Sequence, residues 1–364
     1  MKIRDVISYL EEWAPKGYQE SYDNSGLIVG NKDAQVSGVV VCLDSIEEVI
    51  DEAISKKCNL VVAHHPIVFS GLKSLTGRNY IERTIIKAIK NDVAIYAIHT
   101  NLDNVQTGVN KEISDRIGLV NQQILSPKRD SLVKVVVFVP RANADEVRTS
   151  MCNAGAGSIG DYDHCSFNIE GTGTFRANEG TNPHVGEIGK IHREEEVRIE
   201  TIVSKAQLGG VLSAMISAHP YEEVAYDVYE LQNTDQTIGS GMVGDLEKEE
   251  ELMDFLLRIK FAFEAGTVKY TDAVKKTVKR VAVCGGSGSF LLGAAKASGA
   301  DVFITSDYKY HQFFDADGDI VIADIGHFES EQFTIELIGK KLSEKFTTFA
   351  VHFTEVDTNP VNYL

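Results

Sequence analysis

Three short clusters carry residue types able to hold a divalent transition metal: His64-His65-Pro66, His99-Thr100-Asn101-Leu102-Asp103 and His327-Phe328-Glu329-Ser330-Glu331. Imidazole nitrogens and carboxylate oxygens together suit zinc, iron, manganese, cobalt or nickel. Each cluster follows directly on a short apolar run, over residues 60–63, 94–98 and 320–323. Such runs read as buried strands, and ligand groups gather at the carboxyl ends of strands in open α/β sheets. A carboxylate there could bridge two ions. A two-metal site, with ions about 3.5–4 Å apart, lowers the pKa of bound water and polarises carbonyl or phosphoryl oxygens.

Each cluster alone has a plainer reading. Successive side chains on a strand point to opposite faces, so His64 and His65 could be a surface pair. Pro66 removes the next backbone donor, and a bend there lets both histidines turn toward one pocket. His327 and Glu331 stand four apart at what reads as a helix start, and so share a face. Asp103 could cap the segment after it, and His99 could be a satisfied core imidazole. The coincidence of all these groups at strand ends favours one metal site. Asp307 and His311, after a further apolar strand, could reach the same cleft. With His99 they are expected to support the site rather than to ligate the metal.

Two other segments invite chemistry. In the strand–turn–helix pattern over residues 281–290, Gly285, Gly286 and Gly288 could present backbone amides to an anion. The segment is neither a full G-x-G-x-x-G nor a P-loop, and a tight turn between strand and helix is the preferred reading. His219-Pro220-Tyr221-Glu222-Glu223 reads as a fold-specifying turn with a hydrogen-bonded tyrosine rather than a second metal site. No serine or cysteine nucleophile constellation stands out.

The elements that must position these residues form a βαβαβ series. Strands are expected over 39–43, 60–63 and 94–98, separated by helical patterns through Ile46, Val49, Ile50 and Ala53, then Ile81, Ile85 and Ile89. Such alternation predicts a parallel sheet with helix cover. Gly38-Val39-Val40-Val41-Cys42 resembles Arg280-Val281-Ala282-Val283-Cys284, and in both copies a strand ends 21 positions after the cysteine. Either the core is duplicated, or two βαβ units merely look alike. Between the halves, strands over 133–139, 165–170, 173–175, 197–203 and 224–231 and helices over 144–153 and 208–217 follow a βαββαβ plan, as in ferredoxin-like domains. The expected division is residues 1–127, an insert at 128–232, and residues 233–364.

Composition excludes several function classes. A formal charge of −17 over 364 residues, with no dense cluster of Lys and Arg, argues against a nucleic-acid surface. The densest basic stretch, Lys275-Lys276 with Lys279-Arg280, reads as a solvated face. No apolar run approaches the roughly 20 residues of a membrane span. The five cysteines are scattered and form no C-x-x-C pair, which fits a reducing cytoplasm. Ile3, Val6, Ile7, Leu10 and Trp13 recur at helical spacing, so the N-terminus reads as an amphipathic helix rather than a signal peptide.

Read together, Glu20-Ser21-Tyr22-Asp23-Asn24-Ser25-Gly26-Leu27, Ala63-His64-His65-Pro66, His99 to Asp103, Gly285-Gly286-Ser287-Gly288, Thr305-Ser306-Asp307 and Gly326 to Glu331 resemble the Nif-three-like dinuclear metal centre family. Its members are also labelled GTP cyclohydrolase 1 type 2 homologues. The resemblance runs in order over essentially the whole chain. It departs at Tyr22, where tryptophan is common, at Ser306, where glycine is usual, and at Phe328-Glu329-Ser330, where Tyr-Ala-Thr is common.

The resemblance implies a duplicated three-layer α/β core around mostly parallel sheets, with an inserted ferredoxin-like α+β domain. It implies two divalent ions per chain (zinc, iron or manganese) held by His64, His65, Asp103, His327 and Glu331. It further implies a toroidal homohexamer, a trimer of dimers, whose sites face an internal cavity open to small molecules. The insert, with Gly171 to Arg176 and His219 to Asp227, looks like the PII-type domain of longer bacterial members. The expected function is a metal-dependent hydrolase using a metal-bridging water on a nucleotide or phosphoester-like small molecule. The alternative is a non-catalytic metal-binding or metabolite-sensing scaffold.

Overall fold

Ile3, Val6 and Leu10 line the buried face of the first helix (Ile3–Trp13) and anchor it on the core. Burying one leucine such as Leu10 contributes roughly 1.5–3 kcal/mol. The computed structural model describes residues 1–272 and 275–364. The chain forms two compact units, Met1–Pro127 with Thr237–Leu364, and Lys128–Gln236.

In the first unit the strands before residue 128 are β1 (Gly26–Val29), β2 (Gly38–Asp44), β3 (Leu60–His65), β4 (Ala94–Ala97) and β5 (Leu119–Pro127). In the second unit follow β6 (Leu132–Pro140), β7 (Ser166–Arg176), β8 (Ile191–Ser204) and β9 (Tyr226–Glu230). The first unit resumes with β10 (Gly239–Glu251), β11 (Lys269–Tyr270), β12 (Thr277–Ser287), β13 (Val302–Ser306), β14 (Val321–Asp324) and β15 (Ala350–Phe353).

The first unit contains two sheets, ordered β1-β4-β3-β2-β15 and β11-β14-β13-β12-β10-β5. Both carry three adjacent parallel strands, β4-β3-β2 and β14-β13-β12, flanked by an antiparallel strand, β1 or β11. The likeness read between the two ends of the chain is thus a likeness of topology. The copies diverge beyond it, where β15 joins β2 in parallel but β10 joins β12 antiparallel.

Period-two alternation divides each strand between two layers. Val39, Val41, Leu60, Val62, Val281, Val283, Val302 and Ile304 enter one shared core between the sheets. Val40, Cys42, Val61 and Ala63 pack outward under the helices Glu47–Ser55 and Tyr80–Lys90. Ala282, Cys284 and Phe303 do the same on the other sheet. The alternation continues past the apolar run. His64 follows Val62 toward the shared core and is fully buried, whereas His65 is partly open.

Some boundaries differ from those read in the sequence. β3 runs through both histidines instead of stopping at Ala63, because Asp44 and His65 are still paired between β2 and β3. The patterns over 165–170 and 173–175 are one strand, β7, which pairs with β8 along its whole length, from Ser166↔Thr201 to Arg176↔Ile191. Gly171 and Gly173 interrupt the side-chain pattern but not the hydrogen-bond ladder. A Cβ at Gly173 would run into the Glu196 carboxylate. The run Glu194-Glu195-Glu196 therefore lies inside β8. The sheet order β7-β8-β6-β9, all antiparallel, with two helices, has the ferredoxin-like topology.

The segment between β3 and the helix Tyr80–Lys90 is tied down by Glu82, whose side chain is nearly inaccessible. Its Oε2 accepts from Thr76 N at 2.8 Å and from Thr76 Oγ1 at 2.9 Å, and its Oε1 accepts from Arg78 Nε at 2.9 Å. The Thr76 amide first, and then the other donors, hold its pKa at about 2, below the ordinary 4.5. A carboxyl depressed on folding stabilises above its unfolded pKa and loses that contribution as pH falls toward the folded value. Glu82→Gln is therefore expected to be less stable than wild type at neutral pH. In urea melts of both proteins the difference should shrink between pH 4.5 and about 2; a constant difference would remove this account.

Candidate metal centre

Every histidine of the candidate set is held through Nδ1. His64 Nδ1 donates to the Ile98 carbonyl at 2.8 Å. His65 Nδ1 meets Asp44 Oδ1 at 2.8 Å, His99 Nδ1 meets Asp23 Oδ1 at 2.8 Å, and His327 Nδ1 meets Asp307 Oδ2 at 2.7 Å. Partners on one ring nitrogen fix the tautomer and orientation of the other, as they do for metal-ligating histidines. Four Nε2 atoms are left to face the centre.

For His64 the consequence is sharpest. A carbonyl only accepts, so Nδ1 carries the hydrogen and Nε2 is a bare lone pair. That Nε2 is buried without a hydrogen-bond partner. So is Asp103 Oδ1, which lies 3.6 Å away, and Glu331 Oε1 stands 3.9 Å from the same nitrogen. Buried acceptors facing one another are costly unless a cation or donor lies among them.

Glu331 is the hub. Its Oε2 lies 2.9 Å from His65 Nε2 and 3.1 Å from His327 Nε2. Three groups bring potential ligand atoms within 4.8 Å of one another: His64-His65-His99, His65-His327-Glu331 and His64-Asp103-Glu331. The last two share Glu331. Nitrogen and oxygen donors in this mixture suit a divalent transition metal.

Electrostatics register the crowding. Burial raises the Asp103 carboxyl, and the nearby charge of Glu331 adds to it, bringing its pKa to about 7. Burial opposes the charge of Glu331 too, yet the charge of His327, with hydrogen bonds from His327 and His65, holds it well below the carboxylate range. Burial would lower His65, but Asp44 and Glu331 raise it to about 9. At His327 the charge of Glu331 and the Asp307 hydrogen bond overcome burial and raise it to about 11. Protons and metal ions compete for such a set.

Local structure explains the placement. His64 and His65 end β3, His99 precedes and Asp103 ends the turn Thr100–Asp103 after β4, and His327 and Glu331 are the first and last residues of the short helix His327–Glu331 after β14. The glycine-rich segment makes room rather than binding an anion. Gly286 has φ +60°, and a Cβ there would collide with Glu331 Oε1. The amides of Gly285, Gly286 and Gly288 already donate to Asn110 Oδ1, Ser330 Oγ and Thr305 Oγ1.

Of the supporting residues read from the sequence, His99 and Asp307 stand at the centre. His311 does not: its ring packs on Tyr310 and Phe314. Two residues that orient these histidines were missed. Asp44 ends the apolar run of β2, so the strand-end rule that located the histidines could have found it. Asp23 lies within the Glu20–Leu27 motif, but its bonds to His99, to the Thr100 amide and to the Thr100 hydroxyl are visible only in three dimensions. In the second unit, His219 Nε2 bonds the Phe138 carbonyl, and Tyr221 donates from its amide to His219 Nδ1 and from its hydroxyl to Glu196. The His219-Pro220-Tyr221 segment is thus a locked turn.

A cavity of about 940 Å³ opens onto His65, His99, Asp103, His327 and Glu331. A second, of about 410 Å³, reaches His65 and His327 from the side of Asp307. Among the described residues no helix is long and apolar enough to cross a membrane.

The fold and centre define an α/β protein whose paired sheets deliver histidines and carboxylates to one cleft. The chain belongs to the DUF34/NIF3 (NGG1p interacting factor 3) family, whose profile matches residues 1–360. It is 41% identical to a Halalkalibacterium halodurans protein over the full length of both, and 38% identical to one from Bacillus subtilis over 99% of this chain and 98% of that one. Both relatives carry the name GTP cyclohydrolase 1 type 2 homolog. Among solved structures, a Bacillus cereus protein related to NIF3 is 39% identical with a TM-score of 0.86, covering 100% of this chain and 99% of its own. A Staphylococcus aureus protein is 30% identical with a TM-score of 0.78 and the same coverage.

Gly286→Ala is expected to destabilise the fold by about 1–3 kcal/mol through left-handed strain and displacement of Glu331. Gly293→Ala, in a helix with open space around it, should be neutral or slightly stabilising. Denaturant melts of the two variants check the contrast, and equal stabilities would show that Gly286 makes no room for Glu331.

Proposed function

We propose that this protein is a metal-dependent hydrolase of a small molecule, with divalent cations held by His64, His65, Asp103, His327 and Glu331. The observation that carries the reading is the pair of buried, unpartnered acceptors, His64 Nε2 and Asp103 Oδ1, 3.6 Å apart beside an open cavity. Two candidate groups sharing Glu331 support two ions, with that carboxylate common to both. Divalent cations there supply Lewis acidity, lowering the pKa of water and polarising a carbonyl or phosphoryl oxygen. The name carried by the relatives points to hydrolytic chemistry as well.

The chain's own residues do the rest. Ile98 O, Asp44 and Asp307 aim the ligand nitrogens of His64, His65 and His327. His99 is outside the five-residue set, lines the cavity and is oriented by Asp23, so its Nε2 is placed to hold or deliver a proton at the reacting group. Family membership supports the homohexameric ring as the working assembly.

Elemental analysis should find about two divalent ions per chain in wild type, falling sharply in Asp103→Ala and Glu331→Gln. With the metal identified, His99→Ala should retain it but lose turnover by roughly 10²–10⁴-fold. Full turnover in Glu331→Gln would sink the hydrolase. A loaded protein that turns over no small molecule would support the scaffold instead.

A further inference from the structure

The cavity around the histidine–carboxylate centre carries two signals about what it accepts. The first is charge. Besides Asp103 and Glu331 it is lined by Glu20, Asp44, Glu47, Glu48 and Asp357. Among the described residues its one guanidinium or ammonium group is Arg83, already bound through Nε to Glu47 at 2.7 Å. Two divalent cations would offset Asp103 and Glu331 and leave two positive charges facing Glu20, Asp44, Glu48 and Asp357, the four further carboxylates that Arg83 does not pair. A polyphosphate brought into that field meets like charge at short range, in a cleft where walls of low dielectric weaken screening. Phosphate sites usually add Arg, Lys or free backbone amides at a glycine-rich turn. Here the amides of Gly285, Gly286 and Gly288 are all spent on side-chain oxygens of the core.

The second signal is aromatic surface. Tyr22 and Phe69 line the cavity with 61% and 52% of their surface exposed. Their rings stack on each other, with centroids 6.2 Å apart and planes 30° apart, and Phe69 stands edge-on to His99 at 5.9 Å. Phe290, 66% exposed, lines the same space. Exposed apolar rings forgo the stabilisation that burial would give, and ring faces favour stacking partners. A few polar groups converging among aromatic walls are typical of a small-molecule pocket.

We propose that this cavity accepts an uncharged or cationic molecule bearing a planar heteroaromatic ring, stacked on the Tyr22–Phe69 wall, and discriminates against nucleoside triphosphates. The inference rests on the metal-dependent reading for its chemistry, but makes its own claim about binding. It places the reacting bond on or beside the ring, within reach of His99, rather than along a phosphate chain.

Equilibrium dialysis of the full-length, metal-loaded protein tests it, with guanosine, adenosine, GTP and inorganic tripolyphosphate as probes and metal content measured on every sample. At least one nucleoside should bind roughly tenfold or more tightly than GTP or tripolyphosphate. Phe69→Ala should lose most of that binding while keeping its metal, and Tyr22→Ala is the second variant should Phe69→Ala fail to fold. Replacing Glu47 and Glu48 together by glutamine should narrow the gap by raising GTP affinity. Tighter binding of GTP or tripolyphosphate, unchanged nucleoside binding in both aromatic variants, or no nucleoside binding at millimolar concentration on loaded protein would each overturn the proposal. A metal-free wild type would count against the metal reading instead, whichever probe binds.

Discussion

The buried carboxylate of Glu331 is the constraint on which the centre depends. It is 3% exposed, and an ionised group at that depth persists only if its partners compensate for lost water. Compensation comes from two directions, His65 from one sheet and His327 from its own short helix, while the lone pair of His64 Nε2 faces the same carboxylate without offsetting it. Gly286 must lack a side chain to admit Glu331, and Ser330 receives the Gly286 amide, which fixes helix and strand against each other. Moving any one of these elements leaves a charge or a lone pair stranded.

The two sheets contribute unequally although their parallel cores share one topology. At the end of β3 stand His64 and His65, while the matching end of β13 carries Ser306 and Asp307. The first sheet therefore delivers imidazoles, and the second delivers an orienting carboxylate and the platform for His327. Strand alternation then separates the adjacent histidines by environment. His64 is drawn toward the core shared by the sheets, where its unprotonated nitrogen is closed to bulk solvent, and His65 stays at the mouth of the cavity. One dipeptide thus supplies a buried imidazole and an accessible one.

Family membership and cavity chemistry answer different questions. The first accounts for the fold, which a whole protein family can retain while reactions change. The second concerns what can enter, and it depends on residues away from the ligands: the acidic rim, the spent glycine amides and the stacked rings of Tyr22 and Phe69. A name inherited from relatives describes a nucleoside triphosphate, whereas the electrostatics of this cleft favour its ring over its phosphates.

Much of this was legible in the sequence. Short continuous apolar runs ending in polar residues located β2, β3, β4 and β14, because a strand buried on both faces is apolar throughout. The 3.6-residue recurrence of Ile3, Val6 and Leu10 marked the first helix. Residue type at strand ends located the three clusters, the family resemblance singled out His64, His65, Asp103, His327 and Glu331 among them, and the clusters meet in the structure. What the sequence could not contain is relative position. That β3 and the helix His327–Glu331, more than 260 residues apart, close on one carboxylate is a property of packing two sheets on a shared core. So are the roles of Asp23 and Asp44, whose partners lie 76 and 21 residues away, and the placement of His311, which follows a strand of the same sheet but whose ring packs on Tyr310 and Phe314. The glycine-rich turn shows the limit most clearly. Its residues suit either anion binding or close approach, and only the tertiary structure, by bringing Glu331 against Gly286 and engaging every amide, decides for the second.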